Sequence, residues 1–291
     1  GSDGVTLDGM YHEEHALPSF VHSRSRDQLR MPSVSLKGET PVIYFYTAKR
    51  REARVQVGFP SGIWTQWYPR ASLVMPGLAS AATMPTPGGG RIHWNVLLEP
   101  AAATKAAAIP RTPGEALWNH SRMVDSAYVS TVSKDDRRSE RERFIFYRGL
   151  GRADLPVQFA ERGGGTLTVS GSLPQGVRHV FAIDVEGGRG AWKYIPEIGA
   201  GETVAGVIEG LSARKPIPQF ADEVAAELRA CLTLSGLYEK EARAMVNTWR
   251  ASYLEADGTR VLFVLPREWT DRFTPMSIDP KPASVVRVMV G

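Results

Sequence analysis

Two imidazoles and two carboxylates stand together at His12-Glu13-Glu14-His15, with Asp8, Met10 and His22 close by. Imidazole and carboxylate are zinc ligands, and a thioether widens the set toward copper. Cysteine partners are missing and the spacing matches no structural zinc pattern. The segment therefore reads first as a solvated arm, with His12, His15 and His22 as the metal candidates behind that reading. A second grouping is Trp118-Asn119-His120-Ser121-Arg122-Met123-Val124-Asp125, which holds a hydroxyl, an imidazole and a carboxylate. Members of a hydrolytic triad meet in space, so closeness along the chain adds nothing, and no G-x-S-x-G elbow occurs anywhere. His120, Ser121 and Asp125 are the catalytic candidates on this weaker ground.

Aromatic residues gather at Trp64, Trp67, Tyr68 and Trp94. Exposed indoles stack on sugars and unpaired bases, whereas indoles at strand spacing are more often core. Trp64, Trp67 and Trp94 are accordingly the ligand-binding candidates of a carbohydrate reading. Gly163-Gly164-Gly165 and Gly187-Gly188-Arg189-Gly190 lie between strand-like segments, so they read as turns and not as phosphate loops. Lys134 to Arg143 alternates in charge sign and reads as a solvated loop with local ion pairs of small worth. Cys231 falls on the apolar face of a helix-periodic segment and reads as a buried, inert thiol.

The elements that must position these groups change in texture near Pro216. Before it, short strand-like runs are cut by Gly and Pro. Val42-Ile43-Tyr44-Phe45-Tyr46 and Phe144-Ile145-Phe146-Tyr147 are compact β-branched and aromatic runs. Arg54 to Phe59 alternates polar and apolar, and Ile92, Trp94, Val96 and Leu98 share one face of another strand. Val157 to Ala160 and Thr166 to Val169 form a hairpin candidate. After Pro216 and Pro218 comes helical spacing from Gln219 to Leu254, broken at Ser235-Gly236, which predicts a helical hairpin. Strand text resumes at Arg260 to Leu265 and at Val285 to Val290. The expected fold is mainly β with a helical hairpin, an α+β arrangement. Residues 1–37 form an irregular arm. Residues 38–214 form an antiparallel β-sandwich-like body of one or two units, with a possible sub-boundary near 114–143. Residues 215–291 form the hairpin plus two strands packed on that body.

The chain has 291 residues, 43% of them hydrophobic and 23% charged, which suits an ordinary globular protein with a real core. Its 35 basic and 31 acidic residues are interspersed, so no concentrated basic face points to nucleic acid. One cysteine excludes an intrachain disulfide, and no apolar run approaches a membrane span. Gly1-Ser2 reads as a cloning remnant, and the apolar strand at Val285 to Val290 as one that a natural terminus would not interrupt.

Four segments together carry a resemblance: Pro41-Val-Ile-Tyr-Phe-Tyr46, Thr65-Gln-Trp-Tyr-Pro69, Phe144-Ile-Phe-Tyr-Arg-Gly-Leu-Gly151, and Gly236-Leu-Tyr-Glu-Lys-Glu-Ala242 with Met245, Val246 and Trp249. They resemble an uncharacterised group of bacterial proteins, often predicted to be exported. The resemblance implies a periplasmic or extracellular location and assigns no functional residue. The expected function is a non-catalytic binding or structural module of a bacterial extracytoplasmic protein. Its partner would be another protein or a cell-envelope component, with no cofactor, no nucleic acid and no membrane span. The alternatives are a hydrolase or metal-dependent enzyme using His120 or the N-terminal histidines, and a carbohydrate-binding protein using exposed tryptophans.

Overall fold

The computed structural model describes residues 17–25, 36–38, 41–77, 88–102, 109–132, 139–152, 154–161 and 164–291, with backbone alone at 36–38. His12 and His15 lie outside these residues, as does most of the expected arm. The chain divides into two compact units, residues 1–153 with 271–284, and residues 154–270 with 285–291.

In the first unit, β1 (His22–Ser23), β2 (Leu36–Gly38), β3 (Val42–Ile43), β4 (Arg51–Phe59), β5 (Gly62–Tyr68), β6 (Leu73–Met75) and β7 (Gly90–Glu99) are followed by a short helix α1 (Trp118–Arg122). Then come β8 (Tyr128–Thr131), β9 (Arg141–Glu142) and β10 (Ile145–Gly151). In the second unit, β11 (Val157–Ala160), β12 (Thr166–Val169), β13 (Val177–Glu186), β14 (Arg189–Ile198), β15 (Thr203–Val204) and β16 (Lys215–Pro216) precede helices α2 (Ile217–Leu234) and α3 (Glu239–Trp249). A π-helical turn at Arg250–Glu255 leads to β17 (Gly258–Val264). The chain passes back to the first unit through α4 (Arg267–Phe273) and ends that visit with β18 (Met276–Asp279).

The first unit is a β-sandwich. One antiparallel sheet runs β1-β5-β10-β2, with β3 also on β10; the other runs β18-β4-β7-β8-β9, with β6 on β7. The alternation read in the sequence sets which side chains turn inward. Val55, Val57 and Phe59 of β4 and Ile92, Trp94, Val96 and Leu98 of β7 bury one face and meet Trp64, Trp67 and Tyr147 of the opposing sheet. The outer face of the β5–β10 sheet carries a second aromatic cluster. Tyr68, Trp118, Phe144 and Phe146 pack there with Leu17, Phe20 and Val21 of the described part of the arm. Glycines let the sheets approach: a Cβ on Gly62, Gly149 or Gly151 would fall 2.4, 2.9 or 2.5 Å from the Phe59 ring.

The second unit has an antiparallel sheet β16-β14-β13-β17 and a separate small sheet β11-β12-β15, so the β11–β12 hairpin expectation holds. The helical hairpin covers one face of the larger sheet, where Phe220, Val224, Leu228 and Leu232 of α2 meet Phe181, Ile183, Val185 and Leu262. The α2–α3 break has a definite cause. Gly236 takes φ +109°, and the amides of Leu237 and Gly236 return to the carbonyls of Leu232 and Thr233, a Schellman ending.

The fold is thus mainly β with a C-terminal helical hairpin, as the sequence indicates. The units, however, part at residue 153 and not at 214. β13 pairs with both β14 and β17, which ties residues 177–198 to the hairpin segment, while β18 pairs with β4 and returns to the first unit. Two strands are shorter than read. Tyr44 and Phe45 leave the ladder after β3 and pack into separate clusters, and of Val285 to Val290 only Val290 bridges Val264.

Candidate functional site

The densest set of charges in the first unit lies where the sequence suggests a solvated loop. Glu140 to Arg143 form the short strand β9 and its flank, and their side chains alternate between two surroundings. Glu142 is fully buried, with 0% of its surface accessible. It accepts from Trp118 Nε1 at 2.9 Å, from Arg122 Nη2 at 2.6 Å and from Arg122 Nε at 3.0 and 3.1 Å. Arg122 Nη1 donates in turn to Thr112 Oγ1 at 2.9 Å, and that hydroxyl donates to Asn119 Oδ1 at 2.5 Å. Glu140, on the same side of the strand, has both oxygens 2.9 Å from His22 Nε2 and accepts from the Arg70 amide at 2.7 Å.

On the other side, the guanidinium carbons of Arg141 and Arg143 lie 4.4 and 4.6 Å from the Tyr128 ring centre. Arg141 Nη1 donates to Glu99 at 2.6 Å, and Arg143 Nη2 donates to Tyr128 Oη at 3.0 Å. The far end of the charge run is therefore a buried lattice that ties α1, β8 and β9 together and reaches His22 of β1, and not a solvated segment. Lys134 to Arg138 lie outside the described residues. Buried charge is tolerated only where it is paired and hydrogen-bonded, which is the case for Glu142.

Burial pushes the Glu140 carboxyl up, but the His22 hydrogen bond and charge and the Arg70 amide and charge outweigh it, so its pKa is held below the usual carboxylate range. The sign follows. A depressed carboxyl adds stability that is complete above its unfolded value, about pH 4.3, and lost as the pH falls through the folded value. Glu140→Gln is expected to flatten the acid limb of the melting-temperature profile. An unchanged profile between about pH 6 and pH 3 would remove the pairing from the account.

The residues chosen from the sequence are placed as follows. His22 stands against Glu140 and stacks at 6.4 Å on the Trp67 ring. Among the described residues no group of three His, Cys, Asp or Glu side chains is arranged to hold a metal ion. His120 sits half-buried on α1, and burial holds its pKa below the ordinary imidazole value. Asp125 is exposed beyond the helix, and Ser121 accepts from Tyr44 Oη through its carbonyl. No hydrogen bond joins His120 to Ser121 or Asp125 among the described residues, so the three do not make a triad. Trp64, Trp67 and Trp94 are 1%, 3% and 0% exposed, so they are core and cannot serve as the exposed platform of the alternative carbohydrate reading. Trp64 and Trp94 spend their indole N–H groups on the carbonyls of Val57 and Pro69. Gly187 and Gly188, at φ +58° and +76°, make the β13–β14 turn and bear no helix start.

The second unit holds a polar constellation that the sequence reading missed. His179 has φ +55°, a conformation that side chains with a Cβ rarely adopt, at an irregular register between β13 and β17. Its Nδ1 lies 2.8 Å from Tyr194 Oη, and Cys231 Sγ donates to the same oxygen at 3.7 Å. Strand β13, strand β14 and helix α2 each supply one group. Burial leads in each titration. It lowers His179, helped by Arg178 and opposed by Glu227; it lifts Tyr194 to about 12; and it raises Cys231. All three groups are neutral at pH 7, so the chain of donors runs thiol to phenol to imidazole. The one legible sign was a histidine inside an apolar strand, Val177-Arg178-His179-Val180.

An unreactive thiol follows from this geometry. Thiol attack needs the thiolate and access, and Cys231 is 1% exposed with a raised pKa. Its reaction with an aromatic disulfide reagent at pH 7 is expected to run at least about a hundredfold slower in the native protein than in denaturant. Comparable rates in the two states would show an exposed thiol.

The remaining feature is apolar. Leu234 and Tyr238 flank Gly236 at the helical turn and are 80% and 63% exposed. Val286 is 53% exposed and rests against Gly236, 3.1 Å from where a Cβ would stand. Exposed apolar side chains gathered on one turn, not scattered singly, make it a candidate interaction surface.

No protein-family model matches this chain, and neither does any curated protein or solved structure.

Proposed function

We propose that the chain is a non-catalytic binding module that docks another protein through the apolar turn between α2 and α3. The observation that carries this reading is the exposure of Leu234, Tyr238 and Val286 around Gly236. Leucine, tyrosine and valine offer area and little conformational entropy to lose, as an interface core needs. The turn is held by the Schellman bonds and by the Tyr238 amide donating to Glu241 at 2.7 Å, so the patch is presented in one shape. The resemblance of four segments to exported bacterial proteins supports a periplasmic or extracellular setting and a partner in the cell envelope.

A photo-crosslinking residue at Leu234 or Tyr238, expressed in the source cell, is expected to give one adduct of defined mass. The same residue at Met123, which is 73% exposed on the other unit, is the control. Val286→Asp should abolish the adduct, because a carboxylate at the centre of the patch resists desolvation. The reading fails if the control position gives the same adduct, or if neither position on the turn gives any.

A further inference from the structure

Among the described residues His179 is the one residue other than glycine with a positive φ, and the strand register accounts for the angle. Against β17, the pairs Arg178–Val264 and Phe181–Leu262 leave His179 and Val180 opposite Phe263 alone, which makes a β-bulge. Such an angle strains a residue with a Cβ and lasts only while its surroundings hold it. Tyr194 holds the polar end. The two rings stack at 6.2 Å and 14° in addition to the bond between Nδ1 and Tyr194 Oη. Cys231 Sγ donates to that oxygen and the phenol keeps its proton, so the phenol O–H serves Nδ1, which carries none. A proton on Nδ1 would remove this acceptor and add a charge to a residue that is 8% exposed.

Few groups stand ready to meet that charge. From β13 the flanking group is Arg178, a second cation, whose own partner is Glu197 of β14 at 3.8 Å. From α2 come the Cys231 thiol and Glu227, whose charge favours the imidazolium. From β14 comes Tyr194, and the β17 residues paired beside the bulge, Val264 and Leu262, carry no charge. Desolvation and Arg178 together outweigh Glu227, so the inward ring takes a proton less readily than a hydrated one.

We infer that His179 is a pH-operated latch on the second unit: neutral, it lies inward against Tyr194; protonated, it turns out to water, the strained bulge relaxes, and the way to Cys231 beside Tyr194 opens. The bulge is the bistable element, and one proton biases it. The open form takes that proton near pH 6.5, and the closed form only below it. Opening therefore becomes up to about tenfold easier for each pH unit below about 6.5, until the closed form titrates as well. This inference stands apart from the apolar turn and does not depend on it.

The test follows the Cys231 thiol of the intact chain with a pyridyl disulfide, which reacts in acid as well as at neutral pH. Each native rate is divided by the rate of the denatured chain at the same pH. This ratio should rise at least about tenfold between about pH 7 and pH 5. His179→Asn keeps a residue that tolerates positive φ and cannot take the proton, so its ratio should stay flat. Tyr194→Phe removes the bond that favours the neutral, inward ring. Its ratio should already be higher at pH 7 and should rise less on acidification. Leu234→Asp should leave the rise unchanged, which separates the latch from the apolar turn. The Ile183 and Leu262 amides should stay protected from exchange at pH 5, because the opening is local. Four results would each overturn the inference. They are a flat ratio in the unaltered chain, an equal rise in His179→Asn, a Tyr194→Phe profile identical to that of the unaltered chain, and loss of protection at Ile183 and Leu262 together with the rise.

Discussion

Replacing Glu142 by alanine is expected to destabilise the first unit by about 3–5 kcal/mol, the cost of leaving a buried charge without its partner. Four groups lose an acceptor at once. The Trp118 indole N–H, the Nε and Nη2 groups of Arg122 and the Arg143 amide all end on this carboxylate, and its surface is wholly withdrawn from water. Among the described residues Arg122 would keep Thr112 as its one side-chain acceptor. Its side chain is 11% exposed, so water reaches it poorly and cannot replace the lost bonds. The converse substitution, Arg122→Met, should cost a similar amount by stranding the carboxylate. The double change Glu142→Leu with Arg122→Met should cost clearly less than the sum, because it removes the desolvation burden with the pair. Exchange of the β5 and β10 amides against urea concentration would give the stability of this unit. A loss below about 1 kcal/mol for Glu142→Ala would show that the network is not stabilising in this way.

The legibility of this chain varies with the range of the interaction that decides each element. Val55, Val57 and Phe59, or Ile92, Trp94 and Val96, alternate with polar neighbours, and that pattern is enough to say which faces turn inward. The hairpin was equally local, since Gly236 marks its own turn. What failed depended on pairing across the chain. Glu140 to Arg143 read as solvated because alternating charges usually are. Their burial requires Trp118 and Arg122 from α1, Glu99 from β7 and His22 from β1, none of which is near in sequence. The unit boundary was misplaced for the same reason. The β13–β17 pairing joins Asp184 to Thr259, and nothing in either segment announces the other. Trp64, Trp67 and Trp94 show the reverse weighting. Strand spacing argued for core and composition argued for a platform, and the local signal was the better guide. The backbone conformation of His179 was beyond reach, since a positive φ at a residue other than glycine leaves no trace in the residue type.

A comparable loss, about 3–5 kcal/mol, is expected from Phe59→Ala, and the reason lies in three glycines as much as in the ring. Phe59 is 1% exposed and lies against the opposing sheet at Gly62, Gly149 and Gly151, with Trp64 at 5.0 Å and Phe273 at 4.9 Å between ring centres. The ring occupies the volume that those absent side chains leave, so its removal opens a cavity whose walls are backbone. Strands paired in a ladder cannot collapse inward as flexible side chains do, which puts the cost toward the upper part of the range for such truncations. The complementary change tests the same fit from the other side. In Gly151→Ala the new methyl would stand 2.5 Å from the ring and 2.8 Å from the Gly62 Cα, so the ring must move or the ladder must part. Gly151→Ala alone should cost about 1–3 kcal/mol, and Phe59→Leu in the same chain should recover part of it, because the shorter side chain frees the space that the methyl takes. Urea unfolding of the two single variants and the double variant would give the coupling. Strict additivity would mean that Phe59 and Gly151 do not share that space, and the account of how these two sheets approach each other would have to be abandoned.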